Sequence, residues 1–328
     1  MVTYIVRRGI SMIVTFFLSS VLIFLILQLP PGDIMDFYMA QLSQEGIQQT
    51  AQLAAQLRAF YGLDQPLYVQ YFKWISHFLQ GNLGFSLLHK RPINEIVRRE
   101  IVWTLIICGL SVFFTWLIGI PIGVYSAVHQ YSVADYIFTF LGFLGLSIPN
   151  FFLALVLLFI LVVVFHSDIT GGLFSLKYVD APWSWEKFID LLKHLWIPVV
   201  VLSTGDTAAI IRIMRGNLLD VLGQPYIQTA RAKGLKERAV IYKHALRVAI
   251  NPLISLAGAS APDLISGAVI SGIVLSLPII GPSYLTALET QDIQLAGSYV
   301  LLMVVLLLVG NLLADLALAW TDPRIRYD

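Results

Sequence analysis

The sequence predicts an all-α integral membrane protein, and three observations carry that prediction. Of 328 residues, 58% are hydrophobic. Only 12% are charged, where soluble domains carry about a quarter. The apolar residues gather into six runs, roughly 9–29, 101–128, 134–166, 193–214, 253–276 and 297–320, each long enough for a helix to cross a hydrocarbon core about 30 Å thick. The mean hydropathy of +0.79 agrees.

The first run, Gly9 to Leu29, follows Arg7 and Arg8 and ends in Gln28-Leu29-Pro30-Pro31 without a small-x-small cleavage site. It is too long for a secretory h-region and reads as an uncleaved first span. Residues 30–100 then read as a small folded cap. A polar helical piece, Gln41 to Tyr61, is followed by Gly62-Leu63-Asp64-Gln65-Pro66, which punctuates like a turn, and by an aromatic segment from Tyr68 to Phe85. Pro92 to Arg99 can also be read as an amphipathic helix lying on the membrane.

Six spans put both termini on one side. Arg7, Arg8, the basic block from Arg212 to Arg247, Arg324 and Arg326 share that side, which the positive-inside rule makes cytoplasmic. Lys90, Arg91, Arg98 and Arg99 fall on the outer side, and the inner loop near His129 has no Lys or Arg. The outer stretch exceeds the roughly 60 residues over which loop charge sets orientation.

Several function classes are excluded. A net charge of +1 offers no basic surface for a nucleic acid. A single cysteine, Cys108, inside an apolar run permits neither an internal disulfide nor a cysteine-based zinc site, and no cofactor or metal site is expected. There is no His-Glu-x-x-His, and Ser203-Thr204-Gly205-Asp206 lacks the first Gly of the intramembrane aspartyl protease signature. There is also no Gly-x-x-x-x-Gly-Lys-Ser/Thr phosphate loop, so the chain is not itself an ATPase. An ion-coupled secondary transporter is the alternative of a different class. It predicts inverted repeats with broken helices at matching positions, and it gives the cytoplasmic loop no role.

That loop, 216–251, is too long for a plain connection and too regular for a linker. Pro225 suits the first position of a helix, Tyr226 to Lys233 is free of breakers, Arg231 and Lys233 fall in the last turn, and Gly234 suits the position after the cap. A second helical segment follows from Lys236 to Val248, with Ile241, Ala245 and Val248 spaced as an apolar stripe facing the bundle. Two short helices projecting from a bundle suit docking in a groove on another protein. Among the acids inside apolar runs, Asp206, Asp263 and Asp315 are functional candidates by default, and Asp263, after Pro262, best fits a pathway-lining position.

The run Tyr226-Ile227-Gln228-Thr229-Ala230-Arg231-Ala232-Lys233-Gly234-Leu235, followed by His244-Ala245-Leu246-Arg247, resembles the EAA loop of bacterial ABC-importer permeases. Gln228, Thr229 and Ala230 stand in the Glu-Ala-Ala places, as in the dipeptide, oligopeptide and nickel permease branch. Tyr4-Ile5-Val6-Arg7-Arg8, Leu29-Pro30-Pro31-Gly32-Asp33, Gly81-Asn82-Leu83-Gly84, Ser147-Ile148-Pro149-Asn150-Phe151 and Asp322-Pro323-Arg324-Ile325-Arg326 are similar to that branch too. Where peptide permeases carry a Glu before a Phe-x-x-Pro-Gly stretch, this chain has Gly272, and Ile279 replaces the first Gly place.

The resemblance implies a type I importer permease fold, with an anchor helix at 1–29, an external cap at 30–100, a permease domain at 101–321 and a cytoplasmic tail at 322–328. It implies the first of two permease subunits, a second and different permease chain, two cytoplasmic ATPase subunits and an external solute-binding protein. The cargo it implies is a di- or oligopeptide, with oligosaccharides or nickel as the alternatives. Tyr226, Gln228, Thr229, Ala230, Arg231, Ala232, Lys233, Gly234 and Leu235 would form the ATPase-coupling loop, with Arg231 and Lys233 as rim contacts. Asn150 and Asp263 would line the pathway.

Overall fold

The computed structural model describes residues 2–30, 35–36, 38–39, 55–56, 58–59, 62–86, 89–259 and 261–321; of residues 2–6, 257–259, 261–266 and 317–321 it describes the backbone only. The chain divides into two compact units, Met1–Trp103 with Ile279–Leu308, and Thr104–Pro278 with Val309–Asp328.

In the first unit, helix α1, Val2–Leu27, is 26 residues long and stops just before Pro30, which cannot continue it. The expected turn at Gly62 is present, with φ +69° at the glycine. It leads into α2, Leu67–Leu79. This helix packs its aromatic face on α1 through Phe24 with Tyr71 and Trp74 and through Phe16 with Phe78, while the Ser20 and Tyr71 hydroxyls lie 2.9 Å apart. The polar piece expected from Gln41 to Tyr61 falls largely outside the described residues. Strands β1, Phe85–Ser86, and β2, Arg91–Pro92, pair antiparallel.

Pro92 to Arg99 is not a separate surface helix. Ile93 opens α3, Ile93–Val128, which runs unbroken for 36 residues, or about 54 Å at 1.5 Å per residue. The core of this unit gathers Ile93, Val97, Ile280, Ala287, Leu295 and Tyr299. It joins α3 to α11, Ile280–Glu289, and α12, Ile293–Thr321. Glu100 ties the three together, accepting 2.5 Å hydrogen bonds from the Ser283 and Tyr299 hydroxyls.

In the second unit, α4, Val133–Ser147, starts at Ser132, whose hydroxyl accepts from the Asp135 amide. The third expected span is not one straight helix: α5, Asn150–Phe159, continuing through a π turn at Ile160–Val164, leaves α4 at an angle of 102°. Pro149 forces Ile148 into an extended conformation, with φ −89° and ψ 118°. Helix α6, Trp185–Leu222, is longer than the run that predicted it, at 38 residues. Its first turns clamp the preceding loop. Lys187 donates to the Val179 and Ala181 carbonyls, and Asp190 accepts from the amide and hydroxyl of Ser175.

Helices α3 and α6 approach closely because Gly119 and Gly123 leave room: a Cβ at Gly123 would meet Met214 Cβ at 2.7 Å and the Ile211 carbonyl at 3.0 Å. The helices of the loop 216–251 follow, α7, Pro225–Ala232, and α8, residues 237–249, whose middle, Val240–Ala245, is π-helical. The described residues of the fifth expected span lie in α9, Asn251–Ala259, and α10, Ala261–Val274. Among the described residues, four helices are individually long and apolar enough to cross a membrane, and the bent α4–α5 pair meets the same condition when its two helices are taken together.

Candidate functional site

The loop singled out from the sequence is built from α7 outward. Pro225 occupies the first turn, where the missing N–H costs no intrahelical bond. The Thr229 hydroxyl donates back to the Pro225 carbonyl. At the other end Gly234 takes φ +75°, a left-handed conformation that side chains with a Cβ adopt reluctantly. Its amide donates to the Arg231 carbonyl at 2.9 Å and the Leu235 amide to the Ala230 carbonyl at 3.4 Å. Those two bonds are a Schellman closure, which turns the chain sharply into α8.

Helix α7 has two faces. Ile227 is fully buried and Ala230 is 9% exposed. Both sit in a cluster with Val124 and Ala127 from the end of α3, Met214 and Leu218 from α6, Val240, Ile241, Ala245 and Ala249 from α8, and Leu253 from α9. Tyr226, Gln228, Thr229, Arg231, Ala232, Lys233, Gly234 and Leu235 are exposed. Of the nine candidate coupling residues, only Ala230 points inward, and Ile227, which was not singled out, is the main anchor. The signal for it was the apolar pair three residues apart on an otherwise polar helix.

The π turn moves the stripe expected on α8. An α-helical register groups Val248 with Ile241 and Ala245; the wider turn brings Ala249, 1% exposed, to the core and leaves Val248 46% exposed. Arg231 is not a free rim cation either. Its Nε and Nη2 donate to the Glu237 carboxylate at 3.2 and 2.6 Å. That hydrogen-bonded pair holds Glu237 below the ordinary glutamate range and raises Arg231 above its own.

One level down, Arg215 on α6 forms a two-pronged ion pair with Asp135 in the first turn of α4, at 2.9 and 2.8 Å. Asp135 is 2% exposed and also accepts from the Tyr131 amide. The loop between α3 and α4, which lacks basic residues of its own, thus receives one from α6.

Asn150 opens α5 at the 102° bend. Its amide lies toward α6 and α10: a Cβ at Gly267 would meet Nδ2 at 3.1 Å, and one at Gly205 would meet Oδ1 at 3.9 Å. Asp263 belongs to α10, and its side chain lies outside the described residues. Asp206 and Asp315 are half-buried and both are engaged. Among the described residues no cluster of His, Cys, Asp and Glu could hold a metal ion.

Two family profiles match. One describes the binding-protein-dependent transport system inner membrane component and covers residues 119–327; the other describes the N-terminal part of such membrane components and covers residues 1–107. The chain is 37% identical to the oligopeptide transport system permease protein AppB of Bacillus subtilis, over all of both chains. It is 32% identical to the dipeptide transport system permease protein DppB of Escherichia coli K12, covering 100% of this chain and 99% of that one. Identity is also 32% to the glutathione transport system permease protein GsiC of Salmonella paratyphi A, over all of both chains. The chain therefore belongs to the family of binding-protein-dependent transport system inner membrane components: it is a multi-pass permease subunit of an ABC importer, with the type I importer fold.

Proposed function

We propose that this chain forms half of the translocation pathway for di- or oligopeptides, and that α7 is the helix through which a separate ATPase drives it. The observation that carries the reading is the division of α7 into a buried anchor, Ile227 with Ala230, and an exposed face bearing Tyr226, Gln228, Thr229 and Arg231. A helix held this way can be pushed from outside without detaching. Its displacement passes to α3, α6 and α9 because the packed cluster between them is stiff.

ATP hydrolysis belongs in this scheme to two cytoplasmic subunits. A second permease chain completes the pathway and an external binding protein delivers cargo. The names of the relatives, which specify oligopeptide, dipeptide and glutathione transport, support a peptide as cargo. The end of α6 that bears α7 is the cytoplasmic one, so both termini are cytoplasmic and residues 322–328 form a cytoplasmic tail. Residues 1–29 serve as an anchor helix, 30–100 as an external cap and 101–321 as the permease domain. Asn150, at the bend between α4 and α5, and Asp263 line the pathway.

The test is solute-stimulated ATP hydrolysis by the co-purified complex in lipid, with and without Gly234→Pro. Proline cannot take φ +75° and has no amide to close the turn. Loss of both ATPase co-purification and stimulated hydrolysis, with the variant still inserted, is the expected result. An inserted variant that keeps ATPase binding and stimulated turnover overturns the coupling assignment.

A further inference from the structure

A second feature lies on α4 and α6, outside α7 itself. Helices α4 and α6 run antiparallel, with Asp135 level with Arg215 at one end and Gly145 against Thr204 and Ala208 toward the other. Along one side of this pair they leave a cavity of about 320 Å³.

Its lining is graded from end to end. Arg215 and Arg212 stand at the end near the α4 N-terminus, and Phe138, Phe143 and Leu146 form an apolar wall running away from them. The grading follows from the helix positions. From Phe138 to Leu146 is eight residues of α4, about 12 Å, so the apolar part continues two turns deeper than the guanidinium groups. Gly142, whose added Cβ would meet only Ala208 at 3.9 Å, keeps the middle of the groove open.

The two arginines are not equivalent. Arg215 is committed to Asp135, whereas among the described residues no carboxylate pairs with Arg212, which is exposed at the groove. Arg212 lies one turn further from the helix end than Arg215. Its side chain is long enough to carry the charge to the interface while its methylenes lie along apolar surface. A cation at one end of an apolar furrow, aligned with the helices that cross the membrane, matches one ligand chemistry: an anionic headgroup followed by an acyl chain.

We propose that this groove is a binding site for an anionic phospholipid of the inner leaflet, with Arg212 on the phosphate and Phe138, Phe143 and Leu146 along one acyl chain. The proposal rests on the reading that the end of α6 bearing α7 is cytoplasmic. Occupation would pack α4 against α6 just beneath the coupling helix, so the lipid would stiffen the element that α7 drives.

The test is native mass spectrometry of the intact transporter released from nanodiscs of mixed phosphatidylglycerol and phosphatidylcholine. The variants are Arg212→Gln, Arg212→Lys and Gly142→Leu, the last filling the groove where no neighbour is close. Wild type is expected to retain phosphatidylglycerol in preference to phosphatidylcholine. Arg212→Gln should reduce that retention about fivefold, the ratio equivalent to ~1 kcal/mol for one basic residue at a membrane surface. Arg212→Lys should restore most of it, and Gly142→Leu should abolish it with all subunits still present.

Equal retention in wild type, Arg212→Gln and Gly142→Leu overturns the site. So does loss of the second permease chain from the Gly142→Leu complex, which would make the groove a protein interface. Loss of the ATPase subunits from Gly234→Pro is read on the same instrument, so failure of the coupling reading is seen separately from failure of the lipid site.

Discussion

Arg231 and Glu237 face each other across the turn made by Gly234, joined by two hydrogen bonds of 3.2 and 2.6 Å. The pair fastens the end of α7 to the start of α8 at the point where the chain reverses. Because the two side chains are 37% and 54% exposed, water screens the attraction. Such pairs contribute only about 0.5 kcal/mol, a turn stiffener and no more.

The sign of its pH dependence follows from the glutamate. Its pKa is lowered in the fold, first by the hydrogen bond from Arg231. The contribution is therefore fully present above the ordinary value of 4.5 and disappears as pH falls through the lower folded value. Amide exchange at residues 234–240, corrected for intrinsic rates, should be about twofold faster in Glu237→Gln than in wild type at pH 7. The difference should shrink as pH falls below 4.5 and vanish in 1 M salt. A difference that survives both conditions would mean that Glu237 acts through packing and not through its charge.

Ile227 is the stronger anchor, and its truncation should be felt locally. Ile227→Ala removes three carbons from a fully buried position and should cost about 3 kcal/mol, while Ile227→Val should cost about 1 kcal/mol. Since α7 has only eight residues and cannot persist alone, the loss should appear as opening of α7 before the bundle melts. The check is exchange at residues 226–235 together with the yield of co-purified ATPase. Wild-type exchange in Ile227→Ala would show that α7 is held by something other than its seat.

Much of this arrangement was legible in the sequence, and the parts that were not have physical reasons. Proline at 225 and glycine at 234 bracket α7 because each has a backbone preference that needs no tertiary context. The long apolar runs identify the spans, but hydropathy carries no direction, so the run at 134–166 conceals a 102° bend. Pro149 restricts Ile148 to an extended conformation and so sets the bend. The π turn at Val240–Ala245 has no sequence signature and adds one residue to the register, which is why Val248 was expected inward and Ala249 is found there. Asp135 and Arg215 are 80 positions apart, and a span-end acid beside a loop without basic residues gives no hint of its partner. Arg212 and Arg215 read alike as orientation charges, and only their surroundings separate them.

Close approach of α3 and α6 gives a paired prediction. Gly123→Val would drive side-chain atoms into Met214 and the Ile211 carbonyl, which a Cβ would already meet at 2.7 and 3.0 Å. Overpacking of that kind costs about 1–3 kcal/mol. Gly109→Ala, on the same helix with nothing within 4 Å of an added Cβ, should be neutral or stabilising by up to about 1 kcal/mol. Thermal midpoints of detergent-solubilised protein, read by size-exclusion chromatography after heating, should fall for the first and hold or rise for the second. Equal behaviour would mean that the glycines of α3 do not set its distance from α6.

The Asp135–Arg215 pair tests whether the N-terminal end of α4 is held by charge or by packing. Asp135 is almost wholly buried, while about a quarter of the Arg215 side chain remains exposed, so water can partly compensate a stranded guanidinium but hardly a stranded carboxylate. Arg215→Met should therefore be the more damaging single change, approaching the ~3–5 kcal/mol typical of a buried charge left without its partner, and Asp135→Leu should cost less. Replacing both, Asp135→Leu with Arg215→Met, should recover much of the loss, because neither charge then remains to be desolvated. Thermal midpoints of the three variants against wild type decide the matter. A double variant whose loss equals the sum of the singles would show that the residues act independently, and that the geometry of two parallel hydrogen bonds contributes nothing to holding α4 on α6.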